Sequence, residues 1–138
     1  IAWAPYCCAK QGTGSPLFEE GQAWVSYSAA LCGLKATSYV ESRVAAERIA
    51  YRTDSVAAAS AAIAAGLGFG LLPCMLGDIT PGLVRAGPVV PELQDELWLL
   101  THQDIRKSWR VKAFMTFCAA AVASQKPLVE GQLILPVA

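Results

Sequence analysis

Between Arg52 and Pro73 the chain reads Arg-Thr-Asp-Ser, an alanine-rich run containing Ile63, then Gly-Leu-Gly-Phe-Gly-Leu-Leu-Pro. No other stretch restricts the fold as much. Arg48 to Arg52 places Ile49 and Tyr51 on one side, the alternation of a short strand. Thr53, Asp54 and Ser55 are all good N-cap types, because a side-chain oxygen can take up one of the first unpaired N–H groups of a helix. The alanines from Val56 to Ala65 suit a tightly packed helix. Gly66 stops it in a left-handed conformation. Phe69 to Leu72 is too short an apolar run for a helix and reads as a buried strand, which Pro73 ends. Strand, capped helix, glycine stop, strand is one crossover unit of an α/β sheet.

The rest of the chain extends this pattern. Ile1 to Ala9 is apolar and β-prone, a strand bent or interrupted at Pro5. Lys10 to Gly21, with Gly12, Gly14 and Pro16, is a loop, and Trp24 to Tyr27 a short strand. Ser38-Tyr39-Val40-Glu41 has capping-box spacing, so a helix is expected from there to about Glu47. Gly77 to Pro91 is turn-rich, with a short strand at Leu83-Val84. Glu96 to Thr101, with Leu97, Trp98, Leu99 and Leu100, reads as the best strand of all, covered on both faces. A long helix is expected from Ser108 to about Ser124, with Phe114, Phe117, Cys118, Ala121 and Val122 at helical spacing. Arg106, Lys107, Arg110 and Lys112 crowd its start, where the helix dipole disfavours positive charge. Pro127 closes it, and the tail Leu128 to Ala138 is apolar. The expected fold class is therefore α/β with a mixed, mostly parallel sheet.

Composition narrows the functional classes. The 138 residues suffice for one domain with a substantial core. At 54% hydrophobic and 16% charged, the chain is expected to be ordered. No apolar run reaches the roughly eighteen residues of a membrane span. Ile1 is not an initiator Met and no signal peptide is visible, so the chain is expected to start within a longer protein or after processing. Net charge is zero with no basic block, which argues against DNA binding by this segment. Five cysteines and one histidine lack metal-ligand spacing, so no metal and no cofactor is expected. The cysteines read as reduced, small apolar residues of a cytoplasmic protein. Gly66-Leu67-Gly68-Phe69-Gly70 follows a helix and enters a strand, the wrong order for a phosphate cradle. His102 with Cys7 or Cys8 lacks an orienting group and an oxyanion site, so no enzyme is expected. Trp24, Trp98 and Trp109 read as core or interface anchors.

The succession Arg-Thr-Asp-Ser, alanine helix, Ala-Gly-Leu-Gly-Phe-Gly-Leu-Leu-Pro-Cys, then Leu83-Val84-Arg85, Glu96 to His102 and Arg110-Val-Lys-Ala-Phe114 resembles the C-terminal portion of the effector-binding domain of LysR-type transcription regulators. The resemblance runs from Trp3 to about Val122. It implies a periplasmic-binding-protein-like lobe plus part of a second, joined by two crossing strands. Residues 1–8 would be one crossing strand and 9–95 the second lobe. Residues 96–126 would return to the first lobe, and 127–138 would form a tail. The crossing strands, Ile1 to Cys8 and Glu96 to His102, are then expected to pair antiparallel. The family's helix-turn-helix is absent from this chain, so DNA binding would belong to a missing part. The resemblance further implies a homodimer or homotetramer, no membrane association, and a small effector, a carboxylate or other anion, held between the lobes.

Tyr51, Arg52, Thr53, Asp54 and Ser55, together with Phe69, are the candidate effector contacts. A helix N-terminus presents free donors to an anion, and Arg52 could add a bidentate contact. The competing reading is that Thr53, Asp54 and Ser55 only cap the helix while Arg52 pairs with a surface acid. The runner-up function is a fragment of a solute-binding protein of the same fold.

Overall fold

β1 (Trp3–Cys8), β2 (Trp24–Tyr27), β3 (Ile49–Thr53), β4 (Phe69–Pro73) and β5 (Leu83–Arg85) form one sheet in the order β3-β2-β4-β1-β5. The structure, a computed structural model, describes residues 1–12, 17–31 and 33–133. The sheet is mixed: β2 pairs parallel with β3 and β4, and β1 pairs antiparallel with β4 and β5. β1 and β2 are buried along their whole length, as aromatic and β-branched strands at the centre of a domain should be. β3 is an edge strand and leaves Ala50, Tyr51 and Arg52 exposed.

Two helices cover the two faces. α1 (Lys35–Glu41) links β2 to β3, and α2 (Val56–Ala64) links β3 to β4 on the far side of β2. The two crossovers leave in opposite directions, and right-handed connections then place their helices on opposite faces. Local packing agrees. A Cβ on Gly70 would meet Ile63 Cδ1 of α2 at 2.5 Å. Leu71, on the other face, lines a cavity of about 240 Å³ with Tyr39 of α1, Phe18 and Pro5.

The alanine-rich composition of α2 follows from this closeness, since a helix built of small residues can lie near a strand. Gly66 takes φ 86° and stops α2 as expected. Gly68 has a second reason: a side chain there would sit 2.2 Å from the Ala23 carbonyl oxygen, which accepts the Phe69 N–H at 2.9 Å.

Four expectations need correction. Glu96 to Thr101 is not a strand, and Leu97, Trp98, Leu99 and Leu100 are exposed. It does not pair with Ile1–Cys8 either, because β4 and β5 already occupy both edges of β1. What remains of that pairing is one step at its end: Asp95 N–H donates to the Ile1 carbonyl at 3.0 Å and the Ile1 amino group donates to the Asp95 carbonyl. Second, Ser38 does not cap a helix. α1 starts at Lys35 and ends at Glu41, because Ala36, Thr37 and Val40 bury one face and that packing outweighs the cap signal. Third, Pro5 does not interrupt β1; its carbonyl accepts the Ala86 N–H at 2.8 Å where the β5 ladder has already ended. Fourth, parallel pairing does not predominate, since β1 returns antiparallel between β4 and β5.

α3 (Cys74–Gly77) follows β4 directly, and α4 (Trp109–Ser124) and α5 (Lys126–Val129) end the described chain. α4 forms where its periodicity predicts, yet buries no residue, and Trp109, Phe114 and Phe117 are exposed. Among the described residues no helix is long and apolar enough to cross a membrane. Gly14, Pro16, Cys32 and the tail beyond Leu133 lie outside the described residues.

Candidate functional site at the carboxyl ends of β2 and β3

The parallel ladder sets Tyr27 beside Thr53, so β2 and β3 end side by side. Ser28 N–H donates to the Thr53 carbonyl at 2.9 Å and prolongs the pairing by one step. The chain then turns into α2. Thr53 Oγ1 accepts the Ser55 N–H at 3.2 Å, and Ser55 Oγ accepts the Ala58 N–H at 3.3 Å, so Ser55 is the N-cap among the three candidates. Thr53 is buried, Ser55 and Val56 are half-buried, and Asp54 and Ala57 are exposed. The N-terminus of α2 therefore opens to solvent at the carboxyl end of the edge strand β3, one strand from the β2/β4 boundary where strand order reverses. Open α/β sheets bind ligands at such a boundary.

The candidate residues separate into three groups. Thr53, Asp54 and Ser55 stand together at the start of α2. Tyr51 and Arg52 are next to them on the edge strand, but Arg52 is engaged: its Nη1 lies 2.5 Å from Glu41 Oε1 of α1. The surface-acid reading of Arg52 thus describes its contact here. Phe69 is a correction. It opens β4, which runs parallel to β2 with Phe69 opposite Trp24, so it lies at the amino end of the sheet, away from Thr53. Its ring is buried, 5.9 Å from that of Trp24.

Three residues at this end escaped the sequence reading. Tyr27 and Ser28 close β2, and their position was readable only once β2 and β3 were known to be parallel neighbours. Trp3 is the third. Its ring meets Tyr27 edge-on at 6.2 Å and 89°, and its Nε1 donates to Asp95 Oδ2 at 2.7 Å. Burial raises the Tyr27 phenol above its usual range, and its hydroxyl donates to the Leu71 carbonyl at 2.9 Å. Tyr27 is thereby a rigid neutral wall beneath the site.

The other sequence motifs take structural places. Cys7, Cys8 and Cys74 are buried free thiols. His102 is exposed and its Nδ1 accepts the Asp104 N–H at 3.3 Å, in a segment where it meets neither Cys7 nor Cys8. Trp24 is a core residue stacked on Phe18 at 4.7 Å, whereas Trp98 and Trp109 are exposed.

What the end of the sheet can do follows from this chemistry. It offers backbone donors, hydroxyls and a helix dipole to a small polar or anionic group. In the comparisons, the family model for the LysR substrate binding domain matches residues 20–123. No curated protein matches the chain.

Proposed function

The chain belongs to the LysR substrate-binding-domain family, whose members fold like periplasmic binding proteins and bind effectors for transcription regulators, and from that premise we propose that it is the C-terminal portion of such a domain and senses a small anion at the carboxyl ends of β2 and β3. The observation that carries this reading is the exposed N-terminus of α2 beside the carboxyl ends of the parallel neighbours β2 and β3, one strand from the β2/β4 boundary where strand order reverses. The Ser55 N–H and the Ala58 N–H already have partners. That leaves the first-turn N–H groups of Val56 and Ala57 to meet an anion. Ser28, Thr53, Asp54 and Tyr51 line the approach, and Arg52 could contribute by leaving Glu41.

In this reading residues 9–95 are one lobe, because every strand except β1 lies within them. Residues 96–126 lead away to the other lobe. Binding between lobes would act by shifting the population of a closed form. DNA contact would belong to an N-terminal helix-turn-helix outside this chain, in a cytoplasmic homo-oligomer. The exposed Trp109, Phe114 and Phe117 support such association, since apolar surface of that kind is uncommon on monomers.

Ligand-dependent thermal stabilisation tests the site. Succinate and benzoate serve as probes, and Ala57→Asp places a competing carboxylate at an exposed first-turn position without opposing the helix dipole. A saturable rise in Tm with either probe, abolished in A57D, is the expected result. No rise with either, or an equal rise in A57D, would overturn the assignment.

A further inference from the structure

The side of the sheet formed by β1 and β5 carries a buried polar cluster that no part of the proposed sensing role uses. The Asp78 side chain is 4% exposed and that of Arg85 is 22% exposed. Arg85 Nε donates to Asp78 Oδ1 at 2.7 Å and Nη2 donates to Oδ2 at 2.5 Å, a bidentate pair. Tyr6 Oη donates to the same Oδ1 at 2.7 Å. The rest of the guanidinium faces elsewhere. Nη1 donates to the Gly131 carbonyl at 2.9 Å, and Nη2 also reaches the Leu133 carbonyl at 3.5 Å. Asp78 thus aims the fork, and the fork grips backbone more than forty residues further along the chain.

Gly131 is shaped for this grip. It is buried between the exposed Glu130 and Gln132. It adopts φ 67°, and a Cβ there would stand 2.8 Å from both Cys74 Sγ and Val89 Cγ2. Just before it, the Val129 carbonyl accepts the Ala2 N–H at 2.8 Å. The chain therefore leaves the sheet at Asp95, bonded to Ile1, and returns at Val129, bonded to Ala2. Everything between, including α4, which buries no residue completely, is an excursion with both feet on the first two residues of the chain.

We propose that Arg85 is a positioning residue that latches Val129–Leu133 onto the sheet, so that α4 is held as a strap which swings about its Asp95–Ile1 foot when the latch opens. The physical basis is unequal attachment. β1 and β4 are held by a ladder and a buried core, whereas the returning foot is held by one backbone bond to Ala2, the close fit of Gly131 and a few hydrogen bonds to one guanidinium. Regions with so few buried contacts open at lower free energy than the global transition. Arg suits the task because its planar fork can serve a carboxylate and a carbonyl at once, which a lysine ammonium cannot do with the same geometry. This inference stands apart from the effector reading and uses none of the residues at the start of α2.

Hydrogen exchange on the full chain, resolved by peptide, tests it. Arg85→Lys keeps the charge opposite Asp78 but loses the fork. Gly131→Ala attacks the latch from the other side and keeps both residues of the ion pair, its added methyl crowding Cys74, Val89 and Arg85 Nη2, so the test survives if R85K fails to fold. Exchange at least ten-fold faster within residues 126–133 of R85K as well as of G131A, with β1, β4 and α2 unchanged, is the expected result. Unchanged exchange at 126–133 would overturn the latch. So would acceleration spread equally over β1 and β4, because the cluster would then simply hold the core together.

Discussion

Trp3 Nε1 donates to Asp95 Oδ2 at 2.7 Å, joining the start of β1 to the residue after which the chain leaves the sheet. Asp95 also exchanges backbone hydrogen bonds with Ile1, so side chain and main chain fix the same exit point. Asp95→Ala would leave a buried indole donor without a partner, which costs about 1–2 kcal/mol. Asp95→Asn keeps an acceptor in place and should cost clearly less. Urea denaturation followed by circular dichroism measures both, and a D95A variant as stable as the parent would show that this bond contributes nothing.

The close approach of α2 to β4 rests on one missing methyl group. A Cβ on Gly70 would stand 2.5 Å from Ile63 Cδ1 and 3.1 Å from Cγ1. Gly70→Ala should therefore destabilise by about 1–3 kcal/mol through overpacking. Ile63→Val removes Cδ1 and alone should cost about 0.5–1.5 kcal/mol. The two changes relieve one another, so the double variant should lose less than the sum. Strict additivity in a double-mutant cycle would mean that the helix moves as a body rather than clashing at this pair.

Stability should fall on the alkaline side. Burial raises the phenols of Tyr6 and Tyr27 and the thiols of Cys7 and Cys74, and at Tyr6 the bond to Asp78 adds to it. In each case the folded state holds the proton more tightly than the unfolded chain. Below the ordinary thiol and phenol values, about 8.5 and 10, both states are protonated and these groups give no slope. Above them the unfolded chain loses protons first, and stability declines as pH rises. The urea midpoint should be flat with respect to these groups near neutrality and drop from about pH 9 upward. Tyr27→Phe should make that drop shallower, and an unchanged alkaline slope would refute the assignment to Tyr27.

The four tryptophans should divide evenly in a quenching experiment. Trp3 and Trp24 are buried, at 4% and 0% exposure, while Trp98 and Trp109 are exposed at 72% and 73%. Iodide should reach one pair and spare the other, giving a curved Stern–Volmer plot with an accessible fraction near one half. Trp98→Phe with Trp109→Phe should remove the accessible fraction. If iodide spares Trp98 and Trp109 at high protein concentration and reaches them on dilution, self-association covers the α4 face.

The crossover from Ile49 to Pro73 was readable from sequence because its information is local. A hydroxyl at Ser55 satisfies an amide three residues on, and Gly66 tolerates a positive φ whatever surrounds it. The five strands lie where apolar, β-branched and aromatic residues concentrate for the same reason, and the resemblance to the LysR effector domains rests on such runs. Tertiary structure decided everything that depends on neighbours. The Glu96 to Thr101 run has strand composition but cannot pair with β1, because hydrogen bonding in a sheet belongs to pairs and β1 is already paired on both sides. Ser38 and Glu41 have the spacing of a cap, but burial of Ala36 and Val40 starts the helix earlier. Phe69 is near Thr53 in the motif and far from it in space, since a parallel strand puts its first residue at the opposite end of the sheet. Likewise the Arg85 latch could not be read from the chain, because its partners lie at Asp78 and Gly131, brought together only by the folded sheet.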